Sequence, residues 1–348
     1  MQTVWFCLVA VMIAIYVVLD GFDLGAGAIH LLVAKDAKER LQVIRSIGPV
    51  WDGNEVWLLA AGGTLYFAFP VLYASGFSGF YLPLMIVLWL LILRGIAIEF
   101  RGQVDSPVWV QLWDVVFAGA SLLLAVFFGA ALGNVVRGVP LNDKGYFFEA
   151  LWTNFRLGPN TGILDWYTVI VGVAALLTLA LHGALWLAVK TEGSVHDRST
   201  RLARTVWWAV LAMTIIVTVI TFEVQLQVPL NLVHHPWGYI FPLLALAGLA
   251  GMAWFMWKKD DIKSFLASCT YILGMLTSVV FGLYPLVLPA STIPSYSLTV
   301  DNAKAGDYGL RVGLAWWVLG MILASGYFIY LFRSFAGKVQ TGEQEEGY

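Results

Sequence analysis

The sequence alternates long apolar runs with short polar stretches. A membrane-spanning helix needs about 20 mostly apolar residues, and the runs predict nine such helices. The predicted spans are residues 4–32, 50–74, 76–100, 112–134, 164–189, 203–226, 237–257, 262–288 and 308–332. The second and third spans are separated by only a short stretch, but a single helix of their combined length would far exceed the bilayer thickness. We therefore expect an all-α polytopic membrane protein with one transmembrane domain over residues 1–348.

The distribution of Lys and Arg predicts the orientation of these spans. Under the nine-helix pattern, 15 of the 20 basic residues fall on the side opposite the N-terminus or close to it. Cytoplasmic segments carry the excess of positive charge in membrane proteins. We therefore expect the N-terminus outside and the C-terminus in the cytoplasm. The end of the chain, residues 337–348, is polar and acidic, with Glu343, Glu345 and Glu346, and this composition predicts a disordered tail.

Composition agrees with a membrane protein and excludes several other classes. The chain is 60% hydrophobic and only 12% charged, whereas about a quarter of the residues of a soluble domain are charged. It has no basic patch that would indicate nucleic-acid binding. Its two cysteines, Cys7 and Cys269, both fall inside predicted spans. Neither a disulfide framework nor a thiolate metal site is expected, and we predict no metal site in this chain.

Ionisable residues interrupt the first three predicted spans. A charge at the centre of a membrane helix costs about 2.5–3.5 kcal/mol, so such residues have a partner, a water path or a function. Because the first helix runs inward and the second begins on the inner side, these residues should gather in the cytoplasmic half of the membrane. They are Asp20, Asp23, Asp52, Glu55, Arg94 and Glu99.

Two interpretations of this polar group remain open from the residues alone. In the functional one, Asp52 and Glu55 form a proton entry from the cytoplasm, and Asp20 and Asp23, which share a helix face, continue the path inward. In the structural one, Arg94 neutralises Asp20 or Asp23, and Asp52 caps the second span, where a carboxylate suits the free N–H groups.

His30 and His182 are the histidines that lie well inside predicted spans. Each is a candidate haem ligand, because axial histidine is common in haem proteins. A lone histidine in a membrane helix is more often a hydrogen-bonded packing residue, and we favour that interpretation for both.

Several segments carry a resemblance to a known family. The motifs run from Leu19 to Gly27 (LDGFDLGAG), from Ile47 to Trp57 (IGPVWDGNEVW), and from Phe77 to Tyr81 (FSGFY), followed by the segment from Arg94 to Arg101. Later pieces agree, including Pro285–Thr292 (PLVLPAST). Together they resemble subunit II of the cytochrome bd quinol oxidases, including the cyanide-insensitive branch, and the resemblance extends over nearly the whole chain.

The resemblance implies nine helices in two four-helix bundles plus one peripheral helix. It also implies a partner, the related subunit I, which ligates haem b and haem d and carries a long quinol-oxidising loop after its sixth helix. The corresponding loop here, residues 227–236, is short, so the chain resembles the subunit that does not ligate haem. Asp52 matches an acid that the family places on a proton path to the oxygen site. Asp20, Asp23 and Arg94 match polar positions near the subunit interface.

From this resemblance we expect a multi-pass subunit of a quinol:O₂ oxidoreductase in the bacterial inner membrane. The complex would build a proton-motive force without pumping, because protons enter from the cytoplasm and quinol protons leave outside. Expected partners are the haem-bearing subunit I, a small single-helix accessory subunit, membrane lipid and quinol. Two alternatives stay open: a proton- or ion-coupled secondary transporter, which would also place carboxylates on broken helices, and a purely structural subunit.

Overall fold

The computed structural model describes residues 1–158 and 161–339, and these residues are mostly helical. The helices are α1 (Gln2–Val33), α2 (Ala37–Ile47), α3 (Trp51–Ala68), α4 (Pro70–Gly79), α5 (Tyr81–Phe100), α6 (Pro107–Arg137), α7 (Trp166–Lys190), α8 (Gly193–Val224), α9 (Gln227–His234), α10 (Ile240–Trp257), α11 (Asp261–Leu283) and α12 (Asp307–Ser334). Residues 340–348, most of the predicted disordered tail, lie outside the described residues.

Eight helical segments among the described residues are long and apolar enough to cross a membrane. They are α1, α5, α6, α7, α8, α10 with the short 3₁₀ turn before it, α11 and α12. The remaining predicted span, residues 50–74, corresponds to α3 and α4. Its first turn carries Asp52, Asn54 and Glu55, which lower its mean hydropathy. The chain is thus a multi-pass helical protein, while the count of nine spans and the orientation remain predictions.

The predicted boundary between the second and third spans is wrong. The second span is not continuous: α3 ends at Ala68, and Phe69 leaves the helical region with φ −133° and ψ 64°. The residue before a proline disfavours helical backbone, and Pro70 follows as the first residue of α4. A second break at Phe80 separates α4 from α5, so the third span begins at Tyr81 rather than at residue 76.

Other elements also differ from the prediction. The span predicted to end at residue 288 ends at Leu283, and residues 286–288 form strand β1, which pairs antiparallel with β2 (Leu298–Thr299). Helix α8 begins at Gly193, ten residues before the predicted start, with its first turns polar. The amphipathic helix α2 was not predicted, although Asp36 caps it by accepting a hydrogen bond from the Glu39 amide at 2.9 Å.

Packing contacts divide the long helices into two sets. In one set, α1 packs on α3 and α6, and α6 packs on α5. In the other, α7 packs on α8 and α11, and α10 packs on α11 and α8. The two sets join where α7 packs against α1 and α6. Helix α12 lies at the edge and buries only Leu310 and Leu331.

The junction between the sets depends on two glycines that face each other. A Cβ atom at Gly25 of α1 would lie 1.8 Å from the carbonyl oxygen of Leu179, and one at Gly183 of α7 would lie 2.2 Å from the amide of Ala26. Only glycine allows backbones to approach this closely. The contact fixes α1 against the second set and thereby holds the acidic part of α1 at the centre of the molecule.

Candidate functional site

Ionisable side chains of three helices meet around Arg94, and we call this group the central cluster. The Arg94 guanidinium of α5 donates from Nη1 to Asp20 Oδ1 of α1 at 2.7 Å and from Nη2 to Glu55 Oε2 of α3 at 2.7 Å. The Asp20 and Arg94 side chains are 0% and 1% exposed, whereas Glu55 is 23% exposed. Arg94 therefore bridges two carboxylates, one of which faces outward.

Asp23 belongs to the central cluster through a neutral partner. Asn54 of α3 donates from Nδ2 to Asp23 Oδ2 at 2.8 Å and to the Leu19 carbonyl at 3.4 Å. Both side chains are buried. From the sequence, Arg94 was the expected partner of Asp20 or Asp23, and Asn54 was not predicted. In the structure Arg94 pairs with Asp20 and Glu55 instead.

Asp52 lies outside the cluster, one helical turn from Glu55. It is exposed, and three residues of spacing put it on the same face of α3. The cap residue of α3 is Val50, with no side-chain capping hydrogen bond. Capping of this helix by Asp52, one part of the structural interpretation, is thus not observed among the described residues.

Several buried polar atoms of the central cluster have no hydrogen-bond partner among the described residues. They are Tyr16 Oη, Asp20 Oδ2, Asp23 Oδ1, Asn54 Oδ1 and Arg94 Nε. Buried polar groups in native proteins are normally paired with protein or with ordered water. The cluster therefore offers both donors and acceptors to water molecules between α1, α3 and α5.

His30 lies in a second buried ionic group, which the sequence pattern did not predict. Its Nε2 lies 3.0 Å from Asp114 Oδ1 of α6. The same carboxylate accepts from Arg101 Nε at 2.6 Å and lies 3.3 Å from Arg40 Nη1. This group ties α1, α2 and α6 to the end of α5. Because Asp114 fell inside a predicted span and Arg101 outside one, the spans alone gave no reason to pair them.

His182 is held by protein groups on both ring nitrogens. Its Nε2 lies 2.9 Å from the Val18 carbonyl oxygen, which can only accept, so Nε2 carries the proton. Its Nδ1 lies 2.7 Å from Ser268 Oγ, and the ring stacks on Phe265. Neither nitrogen is free for an iron atom. The His30 Nε2 is likewise engaged by Asp114, whereas its buried Nδ1 has no hydrogen-bond partner among the described residues. The described residues contain no cluster of three potential metal ligands.

A third ionic group joins the end of α6 to the start of α7. Arg137 is 8% exposed and pairs with Asp165, with Glu149 at 2.9 Å and with Asn134 Oδ1 at 2.7 Å. Asp165 also caps α7 by accepting from the amides of Tyr167 and Thr168. The start of α7 could have been predicted from the sequence, because Asp165 and Thr168 form a capping box.

Glu149 carries the surplus charge of this third group. One guanidinium faces two carboxylates, and Glu149 is 3% exposed. Burial raises the pKa of Glu149 from 4.5 to about 7, against the opposing effect of Arg137. The proximity of Asp165 raises it further. Glu149 lies in the connection between α6 and α7, outside the helices that span the membrane.

Comparison with known proteins decides the family. Residues 1–335 match the family model described as "Cytochrome bd terminal oxidase subunit II". The chain belongs to this family. It is 32% identical to "Cytochrome bd ubiquinol oxidase subunit 2" of Bacillus subtilis over 90% of this chain and 89% of the relative. It is 29% identical to "Probable cytochrome oxidase subunit 2" of Haemophilus influenzae over 98% and 96% of the two chains.

A solved structure supports the fold of this subunit II. One chain of "The structure of bd oxidase from Geobacillus thermodenitrificans" superposes with a TM-score of 0.75, covering 96% of this chain and 98% of that one at 16% identity. The family match confirms the resemblance inferred from the motifs, and the superposition supports the fold. Subunit II is a member of a respiratory terminal oxidase complex, which implies a partner subunit I and a complex that contains haem and uses quinol.

Proposed function

We propose that this subunit II does not ligate haem itself but delivers cytoplasmic protons toward the oxygen site of the haem-bearing subunit I. The observation that carries the proposal is the convergence of Asp20, Glu55 and Arg94 into one buried group that begins at the protein surface. Haem b and haem d on the partner would supply the redox chemistry, in which two quinols and O₂ give two quinones and two waters. The names of the relatives support quinol as the electron donor.

Exposure along the proposed path decreases in steps. Asp52 is exposed, Glu55 is 23% exposed, and Asp20 is fully buried. A proton could therefore be taken up from solvent at Asp52 and passed through Glu55 and water toward Asp20 and Asp23. This order matches a relay in which each successive group is less exposed to solvent than the one before it.

The central cluster contains more carboxylates than positive charges, so it can hold a proton. Asp20, Asp23 and Glu55 share the single positive charge of Arg94. Unpaired charges buried in a low-dielectric interior are costly. A proton on Asp23, whose hydrogen-bond partner is the neutral Asn54, leaves the least unpaired charge. Arg94 would hold Asp20 and Glu55 in place while water carries the proton between them.

The free face of α3 supports contact with a partner subunit. Helix α3 buries Asn54, Trp57, Ala61 and Ala68 within this chain. Its opposite face is exposed at every turn, at positions 52, 56, 59, 63 and 66. A face of this kind on a membrane helix packs against lipid or another subunit. An aspartate at its end favours a subunit, and we propose that Asp52 opens toward subunit I from the cytoplasmic side of the bacterial inner membrane.

The test is an Asp52→Asn variant of the assembled oxidase. We expect about tenfold or greater loss of O₂ consumption with quinol, with unchanged haem content and subunit ratio. Asp105→Asn, at another exposed aspartate on the same predicted side, is the matched control and should retain wild-type turnover. Wild-type turnover in Asp52→Asn would overturn the relay and favour the purely structural role.

A further inference from the structure

A long apolar groove between α8 and α10 is not used by the proposed proton path. It has a volume of about 730 Å³, within the range of about 300–1,000 Å³ that is typical of ligand pockets. Its walls include Trp207, Leu211 and Leu249 and, further along α10, Ala253, Trp254 and Trp257. The alanines leave room between the helices, and the tryptophans form the sides.

The groove exists because α10 packs against α11 on the side that faces away from the groove. Gly248 and Gly274 let α10 pack closely on α11, since a Cβ at either would lie within 2.4 Å of backbone on the opposite helix. The other face of α10 is left free, with Leu246 and Trp257 exposed. The Trp207 indole donates a hydrogen bond to the Leu249 carbonyl at 3.0 Å. This bond joins α8 to α10 at the floor of the groove and satisfies the indole N–H.

One end of the groove is strongly basic. Arg204, one turn before Trp207 on α8, donates from Nη2 to the Met256 carbonyl of α10 at 3.3 Å. Lys258 Nζ lies 4.7 Å from the ring centre of Trp254. Arg201 and Lys259 add two more exposed positive charges at the same end. Both helices thus change from apolar to aromatic to basic toward the side where α8 begins and α10 ends.

The basic side chains at this end of the groove are not paired with carboxylates. Within the described ranges 1–158 and 161–339, none of Arg201, Arg204, Lys258 and Lys259 makes an ion pair. The nearby acids have other partners: Asp260 pairs with Lys263 at 2.9 Å, and Asp261 and Asp197 lie 3.0 Å and 3.2 Å from His196. An unneutralised basic cluster beside an apolar groove attracts an anionic headgroup whose chains fill the groove.

We infer that the α8–α10 groove is a binding site for an anionic phospholipid. The acyl chains lie along the tryptophan and alanine walls, and the headgroup phosphate accepts hydrogen bonds from Arg204 and Lys258. The tryptophans mark the interfacial depth at which headgroup and chains meet. Under the predicted orientation this end faces the cytoplasmic leaflet, where anionic lipids and basic segments attract each other. The inference is independent of the proton path.

A photoreactive phosphatidylglycerol with a diazirine in one acyl chain tests the site in the intact oxidase complex. We expect crosslinks at residues 207–211 and 246–257, and at least fivefold fewer crosslinks with the matching phosphatidylcholine. Arg204→Gln combined with Lys258→Gln should lower labelling by roughly tenfold or more, because each basic charge at a membrane surface contributes about a factor of five in affinity. Lys38→Gln with Arg333→Gln, which removes two basic residues outside the groove lining, should leave labelling unchanged.

A second variant guards against a change in folding. Ala253→Phe fills the groove without changing charge, and we expect it to abolish labelling while haem content and quinol oxidation stay normal. Equal labelling by phosphatidylglycerol and phosphatidylcholine would overturn the inference, since the groove would then hold ordinary bilayer lipid. Crosslinks from these residues to another polypeptide would also overturn it, since a protein helix would then occupy the groove.

Discussion

Replacing Arg94 with Gln is the perturbation for which the structure gives the clearest energetic expectation. Arg94 is 1% exposed and pairs with Asp20 and Glu55, each at 2.7 Å. Removing one partner of a buried ion pair leaves uncompensated charge and costs about 3–5 kcal/mol. Asp20 is fully buried, and its second carboxylate oxygen, Oδ2, has no hydrogen-bond partner among the described residues, so we expect Arg94→Gln to approach the upper end of that range.

A double-mutant cycle separates the stability of this pair from its function. Asp20→Asn should offset much of the cost of Arg94→Gln, because residues in direct contact couple by about 0.5–3 kcal/mol. The measurement is reversible unfolding of the purified complex in mixed detergent micelles, followed by haem absorbance, with quinol oxidation measured on the same preparations. Arg333→Gln, at an exposed arginine of α12, is the control.

The two measurements distinguish the interpretations of the central cluster. If its acids relay protons, the double variant recovers stability but not turnover. Recovery of both would show that the acids serve structure alone. If Arg94→Gln leaves stability unchanged, or if the two substitutions simply add, the ion pair has been assigned the wrong energetic role.

Two further predictions concern stability. Glu149 has a pKa raised to about 7 in the folded protein, so its contribution to stability is fully present below pH 4.5 and is lost as pH rises toward 7. This residue should make the wild type about 2.5 kcal/mol less stable at pH 8 than at pH 5, and Glu149→Gln should lose that difference. A pH profile that is the same in both proteins would contradict this. Gly25→Ala should destabilise the fold by about 1–3 kcal/mol or prevent assembly, because its Cβ would overlap the Leu179 carbonyl. Gly320→Ala is the control: a Cβ at Gly320 would have nothing within 4 Å, so the variant should have wild-type stability in the same thermal-denaturation assay.

Hydropathy found the transmembrane helices well because a bilayer requires long apolar helices. It failed where polar and proline residues cut a helix. Residues 50–74 contain enough apolar residues to suggest one span. However, Pro70 disfavours helical backbone at Phe69, and α3 therefore ends at Ala68. Residues 286–288 are as apolar as a helix, yet they pair as β1 with β2. That pairing depends on residues about ten positions later, which a local hydropathy pattern does not reveal.

The candidate site, like the fold, could be predicted from the sequence only in part. Topology alone brings Asp20, Glu55 and Arg94 to one region, and the structure places their side chains in contact. The choice of partners depends on how each helix is rotated about its axis, and a hydropathy pattern contains no measure of that rotation. For this reason Asn54 was missed as the partner of Asp23. Asp114, buried with Arg101 and His30, was missed because it lies inside a predicted span and Arg101 lies outside one.

The central claim is that protons for oxygen reduction enter through the acids of this subunit. The most direct measurement is the time-resolved membrane potential generated when the reduced oxidase, reconstituted in liposomes, reacts with O₂. We predict that the charge movement due to proton uptake is slowed about tenfold or more in Asp52→Asn and is unchanged in Asp105→Asn, while haem oxidation before that phase keeps its wild-type rate. Proton uptake at the wild-type rate in Asp52→Asn would contradict the account.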